Sequence, residues 1–317
     1  MDLETAEDHQ AGMPRRVLPN FLIAGAAKCG TTSLYYHAKQ HPDVFMCSPK
    51  EPDFFFAQFS KIPTNGIGDD CQSVVRDYDE YCRLFEDAAG KAAIGDASHT
   101  NLYYHQKTIP LIKQYLGDPK IVIILRNPVE RAFSTHTALT LQGREFLPFE
   151  EALREEPKRI KEGWRSTWAY QTLGFYTHQV KAFLDHFSAV KVCLFDDLKR
   201  EPVSLIQDIY RFLGVDPSFT PDTTANFNLS GVPRHRIFKS LFRRQPTPLQ
   251  RVARHVGRAI FTEDGWASVR ERLKAKLLVK STMKPETRRH LQDVYRDDIA
   301  ALQKLIGRDL STWLADR

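Results

Sequence analysis

The sequence predicts an α/β fold in which helices cover both faces of a central parallel sheet of four or five strands. Two short apolar runs, Asn20–Gly25 and Lys120–Leu125, indicate strands that are buried on both sides, as the strands of covered parallel sheets are. Each run is followed by a turn and a helical segment, and a third such unit begins at Val190. This alternation of strands and helices is typical of a doubly wound sheet.

The strands are recognised as apolar runs that end in turn residues. Asn20–Gly25 ends in glycine, and Ala92–Gly95 is a weaker candidate. Lys120–Leu125 is the clearest strand, because β-branched residues fill it and turn residues bound it on both sides. Val190–Phe195 is the next clear strand. We expect helices to connect these strands across a parallel sheet.

The helices are placed by their first and last residues. Thr31–Gln40 follows the first strand. Pro128 suits the first turn of a helix, and this helix is expected to run to about Leu141. Another helix ends before Gly214, a residue typical of helix C-termini. The segment Lys284–Leu305 has apolar residues at helical spacing and is expected to pack on the sheet.

The composition is that of an ordinary folded protein. Hydrophobic residues make up 42% and charged residues 26% of the chain, and no apolar run reaches the roughly 18–20 residues that cross a bilayer. We expect residues 1–18 to form a flexible leader and residues 19–317 a single domain. The five cysteines are scattered without zinc-like spacing, which favours free thiols and a cytoplasmic location.

The segment 234–261 is unusually basic. Between Arg234 and Arg258 there are eight Lys and Arg residues and no Asp or Glu, which suggests an anionic ligand or a membrane surface nearby. Its part from Leu249 to Phe261 has the pattern of a basic amphipathic helix. A solvated helix face is the alternative for the basic tract, and packing of the apolar side on the core is the favoured alternative for the amphipathic part, so peripheral membrane contact stays open. No nucleic-acid partner is expected.

A phosphate-binding turn follows the first strand. It reads Gly25-Ala26-Ala27-Lys28-Cys29-Gly30-Thr31-Thr32-Ser33 and leads into a helix. The unpaired N–H groups and the positive end of the dipole at a helix N-terminus attract anions, and the hydroxyls of Thr31, Thr32 and Ser33 add donors. Nucleoside triphosphatases place a lysine directly after the second glycine of this loop. Here Thr31 takes that place, and the lysine is Lys28.

The strand Lys120–Leu125 is followed by a basic residue. P-loop enzymes place an Asp at such a strand end to help hold magnesium, but Arg126 stands there in this chain. The sequence therefore predicts an anion site that binds no metal. It disfavours the main enzymatic alternative, a P-loop nucleotide phosphotransferase. A non-catalytic module that binds anions or membranes is the alternative from another class.

These motifs resemble those of the PAPS-dependent sulfotransferase superfamily, where PAPS is 3′-phosphoadenosine 5′-phosphosulfate. Gly25-x-x-Lys28-x-Gly30-Thr31-Thr32-x-Leu34 resembles the 5′-phosphosulfate loop, and Arg126-Asn127-Pro128-x-x-Arg131-Ala132-x-Ser134 resembles the 3′-phosphate motif. Pro49-Lys50-Glu51-Pro52-x-Phe54-Phe55 is similar to the carbohydrate (heparan-type) and bacterial branch. The resemblance implies a metal-independent enzyme that moves the sulfuryl group of PAPS to a hydroxyl by direct in-line transfer. The nucleotide product is 3′-phosphoadenosine 5′-phosphate (PAP).

The resemblance also implies which residues bind PAPS. Lys28 would contact the bridging oxygen between the sulfate and the 5′-phosphate, where charge builds up as the bond breaks. Arg126 and Ser134 would bind the 3′-phosphate, and Arg234 or Arg236 of a covering loop would add to this contact. The 5′-phosphate would be held by the residues of the turn, namely Lys28, Cys29, Gly30, Thr31, Thr32 and Ser33.

Two candidates for the general base remain open. Glu51 matches the base of the Lys-Glu-Pro-x-Phe-Phe motif; Lys50 would keep it ionised or contact the acceptor, and Phe54 would supply an apolar wall. A surface ion pair with Lys50 is the structural alternative for Glu51. His99 is the competing base, because the aryl branch carries its catalytic histidine at this place, and a purely structural histidine is its alternative.

One departure from the family pattern bears on the acceptor. Heparan-type relatives carry a lysine in a Glu-Lys-Ser/Thr-Pro segment that meets an anionic sugar, whereas Asp96-Ala97-Ser98-His99 has alanine there. This difference favours a neutral sugar, a glycolipid or a small hydroxylated metabolite over a heparan-like polyanion. Ser98 is still expected to contact the acceptor. The sequence does not indicate an oligomeric state.

Overall fold

A five-stranded parallel sheet forms the centre of the molecule. The computed structural model describes residues 16–59, 65–69, 74–224, 232–233, 278–279 and 282–315. The strands of the sheet are β1 (Phe21–Gly25), β2 (Val44–Met46), β3 (Ala93–Asp96), β4 (Lys120–Leu125) and β5 (Val190–Leu194). They lie in the order β2-β3-β1-β4-β5, and each neighbouring pair is parallel. The predicted α/β fold with a parallel sheet is confirmed.

The two central strands, β1 and β4, are the ones that the sequence predicts most clearly. Every residue of β1 is buried, and only Lys120 of β4 is not fully buried. Their apolar side chains on both faces therefore join one continuous core, which is the physical reason that a run apolar at every position indicates a covered parallel strand.

Helices connect the strands in the described parts of the chain. Their bounds are α1 (Thr31–Ala38), α2 (Phe54–Phe59), α3 (Tyr78–Arg83), α4 (Thr100–Tyr103), α5 (His105–Leu116), α6 (Pro128–Leu141), α7 (Phe149–Lys161), α8 (Thr177–His186), α9 (Phe195–Arg200), α10 (Pro202–Leu213) and α11 (Pro285–Ile306). A 3-10 turn at Ser166–Trp168 lies between α7 and α8.

The helices cover both faces because the chain crosses the sheet in two directions. From β1 the chain passes through α1 to β2 on one side, whereas from β3 it passes through α5 to β4 on the other. Right-handed crossovers in opposite directions place their helices on opposite faces. The packing agrees: the Tyr210 hydroxyl of α10 donates to the His37 carbonyl of α1 at 2.8 Å, while the rings of His105 in α5 and His178 in α8 lie 5.2 Å apart.

Several elements differ from the sequence predictions. Phe195 was expected in the last strand but begins α9, and the single helix expected after it is two helices. The break lies at Glu201, because Pro202 cannot continue a helix but suits the first turn of the next one. The strand β2 was missed because its three residues form too short an apolar run.

Two short strands, β6 (Val232–Pro233) and β7 (Leu278–Val279), pair antiparallel and form a second small sheet.

The basic segment 234–261 lies outside the described residues, so its predicted membrane contact stays a prediction. Within the described ranges, no helix is long and apolar enough to cross a membrane. Four of the five cysteines are described there, and all four are buried free thiols.

Candidate active site

A cavity of about 1040 Å³ opens at the carboxyl ends of β1 and β4. The chain leaves β1 toward α1 and leaves β4 toward α6, which lie on opposite faces of the sheet. Adjacent strands whose connections diverge in this way create a crevice, and open α/β sheets bind ligands there. The cavity is lined by residues of the predicted PAPS site together with the two candidate bases: Lys28, Thr31, Thr32, Ser33, Arg126, Ser134, Glu51 and His99.

The turn after β1 contains two residues with positive φ. Gly30 has φ +103°, and a Cβ there would come within 2.9 Å of the Leu198 and Phe195 side chains. Lys28 also adopts a left-handed conformation, with φ +64°. The first turn of α1 follows at once, so its unpaired N–H groups line the cavity at Thr31, Thr32 and Ser33. The turn is thus shaped to bind an anion.

Lys28 and Arg126 bring two positive charges to this turn. Although the Lys28 side chain reaches the solvent of the cavity, the surrounding protein lowers its pKa, and the charge of Arg126 lowers it further. A Nη1 hydrogen of Arg126 points to the Lys28 carbonyl at 3.4 Å. The positive charge of Arg126 disfavours the protonated form of Lys28, and a bound anion would relieve that repulsion.

Arg126 is positioned by its neighbours but keeps hydrogen-bonding capacity. Its guanidinium lies 4.9 Å from the centre of the Phe195 ring, and its Nε is buried without a hydrogen-bond partner. Glu130 is 4.0 Å away but is held more closely by Arg288, at 2.7 Å. Arg126 is therefore only weakly neutralised, which fits the predicted contact with a phosphate.

One face of α6 forms a wall of the cavity. It carries Arg131, Ser134, Thr135, Ala138 and Leu139, which recur at the spacing of one helix face, and Gln142 follows directly after the helix. Ser134 lies about two turns into the helix, as predicted. Arg131 is fully buried and donates to the Tyr170 carbonyl, so it fixes the helix within the core.

Glu51, Lys50 and His99 form a second group of cavity residues, near enough to Lys28 for the charges of Glu51 and Lys50 to act on its pKa. The ammonium of Lys50 contacts Glu51 Oε1, and His99 Nδ1 lies 3.1 Å from the same oxygen. Glu51 has φ +64° and Asp53 has φ +52°, a backbone conformation that costs free energy for residues other than glycine and recurs at functional sites. Glu51 thus forms its ion pair with Lys50 within a cluster that lines the cavity, and its role as the base stays a prediction.

The charges of this cluster lower the pKa of Glu51 and raise the pKa of His99. Burial alone would raise the pKa of Glu51, but His99 and Lys50 outweigh it and hold this pKa well below the usual range of a carboxyl group. Burial alone would lower the pKa of His99, but Glu51 and Asp53 outweigh it and raise this pKa. At neutral pH Glu51 is therefore a carboxylate, and the imidazolium form of His99 is favoured.

The structure adds residues that the sequence did not single out. Asp53 is buried and accepts a hydrogen bond from Thr100 Oγ1 at 2.8 Å. Arg165 Nη2 lies 3.4 Å from the other Asp53 oxygen, and Arg165 also lines the cavity. Asp53 is the variable position of the quoted motif and gave a weak signal. Arg165 gave none, because it lies far from every motif in a segment without a recognisable pattern.

Two predicted acceptor contacts are corrected. Phe54 is fully buried in the core, where its ring stacks on Tyr81 with 4.3 Å between centres, because α2 turns this residue inward. Ser98 is fully buried; its hydroxyl donates to Asp96 at 2.7 Å and accepts from the Asp53 amide at 3.2 Å. Neither residue lines the cavity, so neither contacts an acceptor there. Ser98 instead supports the backbone of Asp53.

Four other predicted contacts have different outcomes. Lys50 lines the cavity beside Glu51, as expected for an acceptor contact. The Cys29 side chain is buried, with its sulfur 3.7 Å from the Tyr176 hydroxyl, which leaves only its backbone for the phosphate. Arg234 and Arg236 lie outside the described residues, and their roles stay predictions.

Comparison with known proteins identifies the class of enzyme that this site belongs to. The model of the sulfotransferase domain family matches residues 18–306. The chain therefore belongs to the sulfotransferase family, which confirms the PAPS-dependent superfamily that its motifs indicated. It is also similar to the crystal structure of a sulfotransferase from Alicyclobacillus acidocaldarius, with a TM-score of 0.72 and 33% identity, over 94% of this chain and 100% of the other.

Two curated relatives are heparan sulfate enzymes. The chain is 24% identical to the mouse bifunctional heparan sulfate N-deacetylase/N-sulfotransferase 3, over 94% of this chain and 31% of the relative. It is 26% identical to the human heparan sulfate glucosamine 3-O-sulfotransferase 3B1, over 65% of this chain and 48% of the relative. The chain thus spans less than half the length of either relative.

Proposed function

We propose that this chain transfers the sulfuryl group of PAPS to a hydroxyl of a carbohydrate, a glycolipid or a small hydroxylated metabolite. One observation carries the proposal: a cationic turn suited to phosphates and a carboxylate suited to proton abstraction line the same cavity. The names of the curated relatives support a carbohydrate acceptor among these classes. A metal-independent reaction, a cytoplasmic location and a single domain over residues 19–317 remain predictions from the sequence.

The proposed donor is a substrate that is consumed in each turnover, and the residues present fit its two charged ends. The turn at Lys28–Ser33 offers backbone N–H groups, hydroxyls and an ammonium to the 5′-phosphosulfate. Arg126, with its buried unpartnered Nε, and Ser134 offer donors to the 3′-phosphate. A nucleotide without a 3′-phosphate would leave Arg126 without this partner.

The reaction follows from these positions. The acceptor oxygen attacks the sulfur, and a new O–S bond forms while the bond from sulfur to the bridging oxygen of the 5′-phosphosulfate breaks. The electron pair of the broken bond stays on that oxygen, which becomes a phosphate oxygen of PAP. Lys28 stabilises the charge that develops there, and Glu51 accepts the proton of the acceptor hydroxyl.

The choice of Glu51 over His99 as the base rests on their protonation. A general base must be deprotonated before it acts, and Glu51 is the member of the pair with the lowered pKa. His99 has the raised pKa and holds Glu51 Oε1 at 3.1 Å. An anionic sulfuryl group beside Lys50 and His99 would offset their charges, which would raise the pKa of Glu51 and make it a stronger base.

Replacement of Glu51 by Gln tests this function. The amide keeps the shape of the side chain but cannot accept the proton, so we expect turnover of PAPS with an acceptor to fall about 10²–10⁴-fold. The affinity for PAP, measured by calorimetry, should stay within about twofold, because Glu51 is not placed at the nucleotide. Transfer is measured with PAPS labelled in its sulfuryl group.

The matched control is Glu155→Gln, which makes the same chemical change on an exposed residue of α7. It should leave both turnover and PAP affinity unchanged. Full turnover in Glu51→Gln together with loss of turnover in His99→Ala would assign the base to His99 instead. A failure of the wild-type chain to bind PAP would contradict the proposed function as a whole.

A further inference from the structure

Arg165 is a buried cation whose hydrogen-bonding capacity is not used up within the described structure. The residue is 4% exposed and lines the cavity. Its guanidinium stacks over the Phe56 ring at 5.3 Å, and its Nη2 lies 3.4 Å from Asp53 Oδ2. Its Nη1 is buried without a hydrogen-bond partner. A buried unpaired donor costs free energy, so a ligand oxygen is the natural partner for this atom.

Arg165 is also less neutralised than Arg144 and Arg159, two buried arginines that carboxylates hold closely. Arg159 makes two contacts with Glu145, at 2.5 and 3.3 Å. Arg144 contacts Asp69 at 2.5 Å. Within the described residues Arg165 has a single contact with a carboxylate, Asp53, at 3.4 Å. A positive charge therefore remains available at Arg165.

The position of Arg165 associates it with the acceptor end of the cavity. Its partner Asp53 lies two residues after Glu51, and Thr100, which donates to Asp53, directly follows His99. The donor nucleotide would be bound around Lys28, Arg126 and Ser134, and Arg165 stands on the side of the base.

We propose that Arg165 binds an acidic group, a carboxylate or a sulfate, on the same acceptor molecule whose hydroxyl faces Glu51. The cavity as a whole favours anions, because seven Lys and Arg residues line it against two acidic residues, Glu51 and Asp53. Arginine matches the planar geometry of a carboxylate. The inference rests on the proposed function and changes its acceptor: an acid-bearing alcohol replaces the neutral acceptor that Ala97 suggested.

The test compares acceptors that differ by one group. Protein saturated with PAP is titrated with pairs of 4-nitrophenyl glycosides, each uronate beside its neutral hexoside, starting with the glucuronide and the glucoside. We expect the wild-type chain to bind at least one uronate about 10–100-fold more tightly than its hexoside, the effect of a hydrogen bond to a charged group. Arg165→Met should bring this ratio close to one, and Arg165→Lys should keep part of it.

Controls separate this subsite from a purely structural role. Arg154→Met makes the same change on an exposed residue of α7 and should leave the ratio unchanged. A structural role of Arg165 would weaken both members of a pair equally or reduce PAP affinity, whereas an acceptor contact changes the ratio alone. Equal binding of uronates and hexosides by the wild-type chain, no binding of any uronate, or an unchanged ratio in Arg165→Met would overturn the inference. If PAP itself did not bind, the proposed function would fail first.

Discussion

The two ends of the cavity differ in how their charges are arranged. At the donor end, Arg126 donates to the Lys28 carbonyl, and its acidic neighbour within the described residues is Glu130, at 4.0 Å. At the acceptor end, Glu51 contacts both Lys50 and His99, and Asp53 contacts Arg165. The donor end carries an excess of positive charge, whereas the acceptor end is a set of ion pairs.

This difference assigns separate tasks to the two ends. Excess positive charge binds a multiply charged nucleotide whatever acceptor is used. Ion pairs hold side chains in fixed positions and set which group is protonated. Substitutions at the donor end should therefore change nucleotide affinity, and substitutions at the acceptor end should change turnover and acceptor choice. Each of the following predictions tests that separation.

Of two substitutions, Arg126→Met at the donor end and His99→Asn at the acceptor end, the first is expected to have the larger effect, a loss of PAP affinity. This change removes the guanidinium proposed to bind the 3′-phosphate, and we expect the affinity for PAP to fall about 10–100-fold. Adenosine 5′-phosphosulfate, which lacks the 3′-phosphate, should bind the variant as it binds the wild-type chain. Calorimetry with both nucleotides measures the two affinities.

The control for this change is again Arg154→Met, which should alter neither affinity. If Arg126→Met weakened both nucleotides to the same extent, Arg126 would act on the shape of the site rather than on the 3′-phosphate. If it left PAP binding intact but changed acceptor choice, the division between the two ends would be wrong.

A smaller effect is expected for the pH profile of His99→Asn. The positive charge of His99 lowers the pKa of Glu51 in the folded protein, and removal of this charge should raise that pKa. Turnover requires Glu51 as a carboxylate, so it is lost as the pH falls through this pKa. The acid limb of kcat/KM should therefore move to higher pH, by roughly one unit.

The same profile measured for His290→Asn, an exposed histidine of α11, serves as the control and should match the wild-type profile. A shift of the acid limb to lower pH in His99→Asn would contradict the assigned roles. Loss of the acid limb that the wild-type chain shows would point to His99 as the proton acceptor.

The donor end could be predicted from the sequence because short-range patterns define it. A buried strand, a glycine-bearing turn and a helix follow one another within the fifteen residues around Lys28, and Arg126 directly follows the clearest strand. Parallel strands place these two turns at the same edge of the sheet. The fold follows from the same runs, except where an element is too short, as β2 is.

The acceptor end could be predicted only in part because distant segments build it. Glu51, Lys50 and His99 came from family motifs, but nothing local connects Arg165 with Asp53, which lie more than 100 residues apart. Phe54 shows a second reason why the sequence predicts the acceptor end only in part. Three consecutive phenylalanines do not reveal which of them faces a cavity, and the helix α2 buries Phe54 in the core.

Calorimetric titration of the purified chain with PAP and, separately, with ADP in the absence of metal tests the central claim most directly. The two nucleotides share adenosine and a 5′-phosphate, and only PAP carries the 3′-phosphate that Arg126 and Ser134 are proposed to bind. We predict micromolar binding of PAP and no measurable binding of ADP. Equal binding of both nucleotides, or binding that requires magnesium, would contradict the proposed donor site.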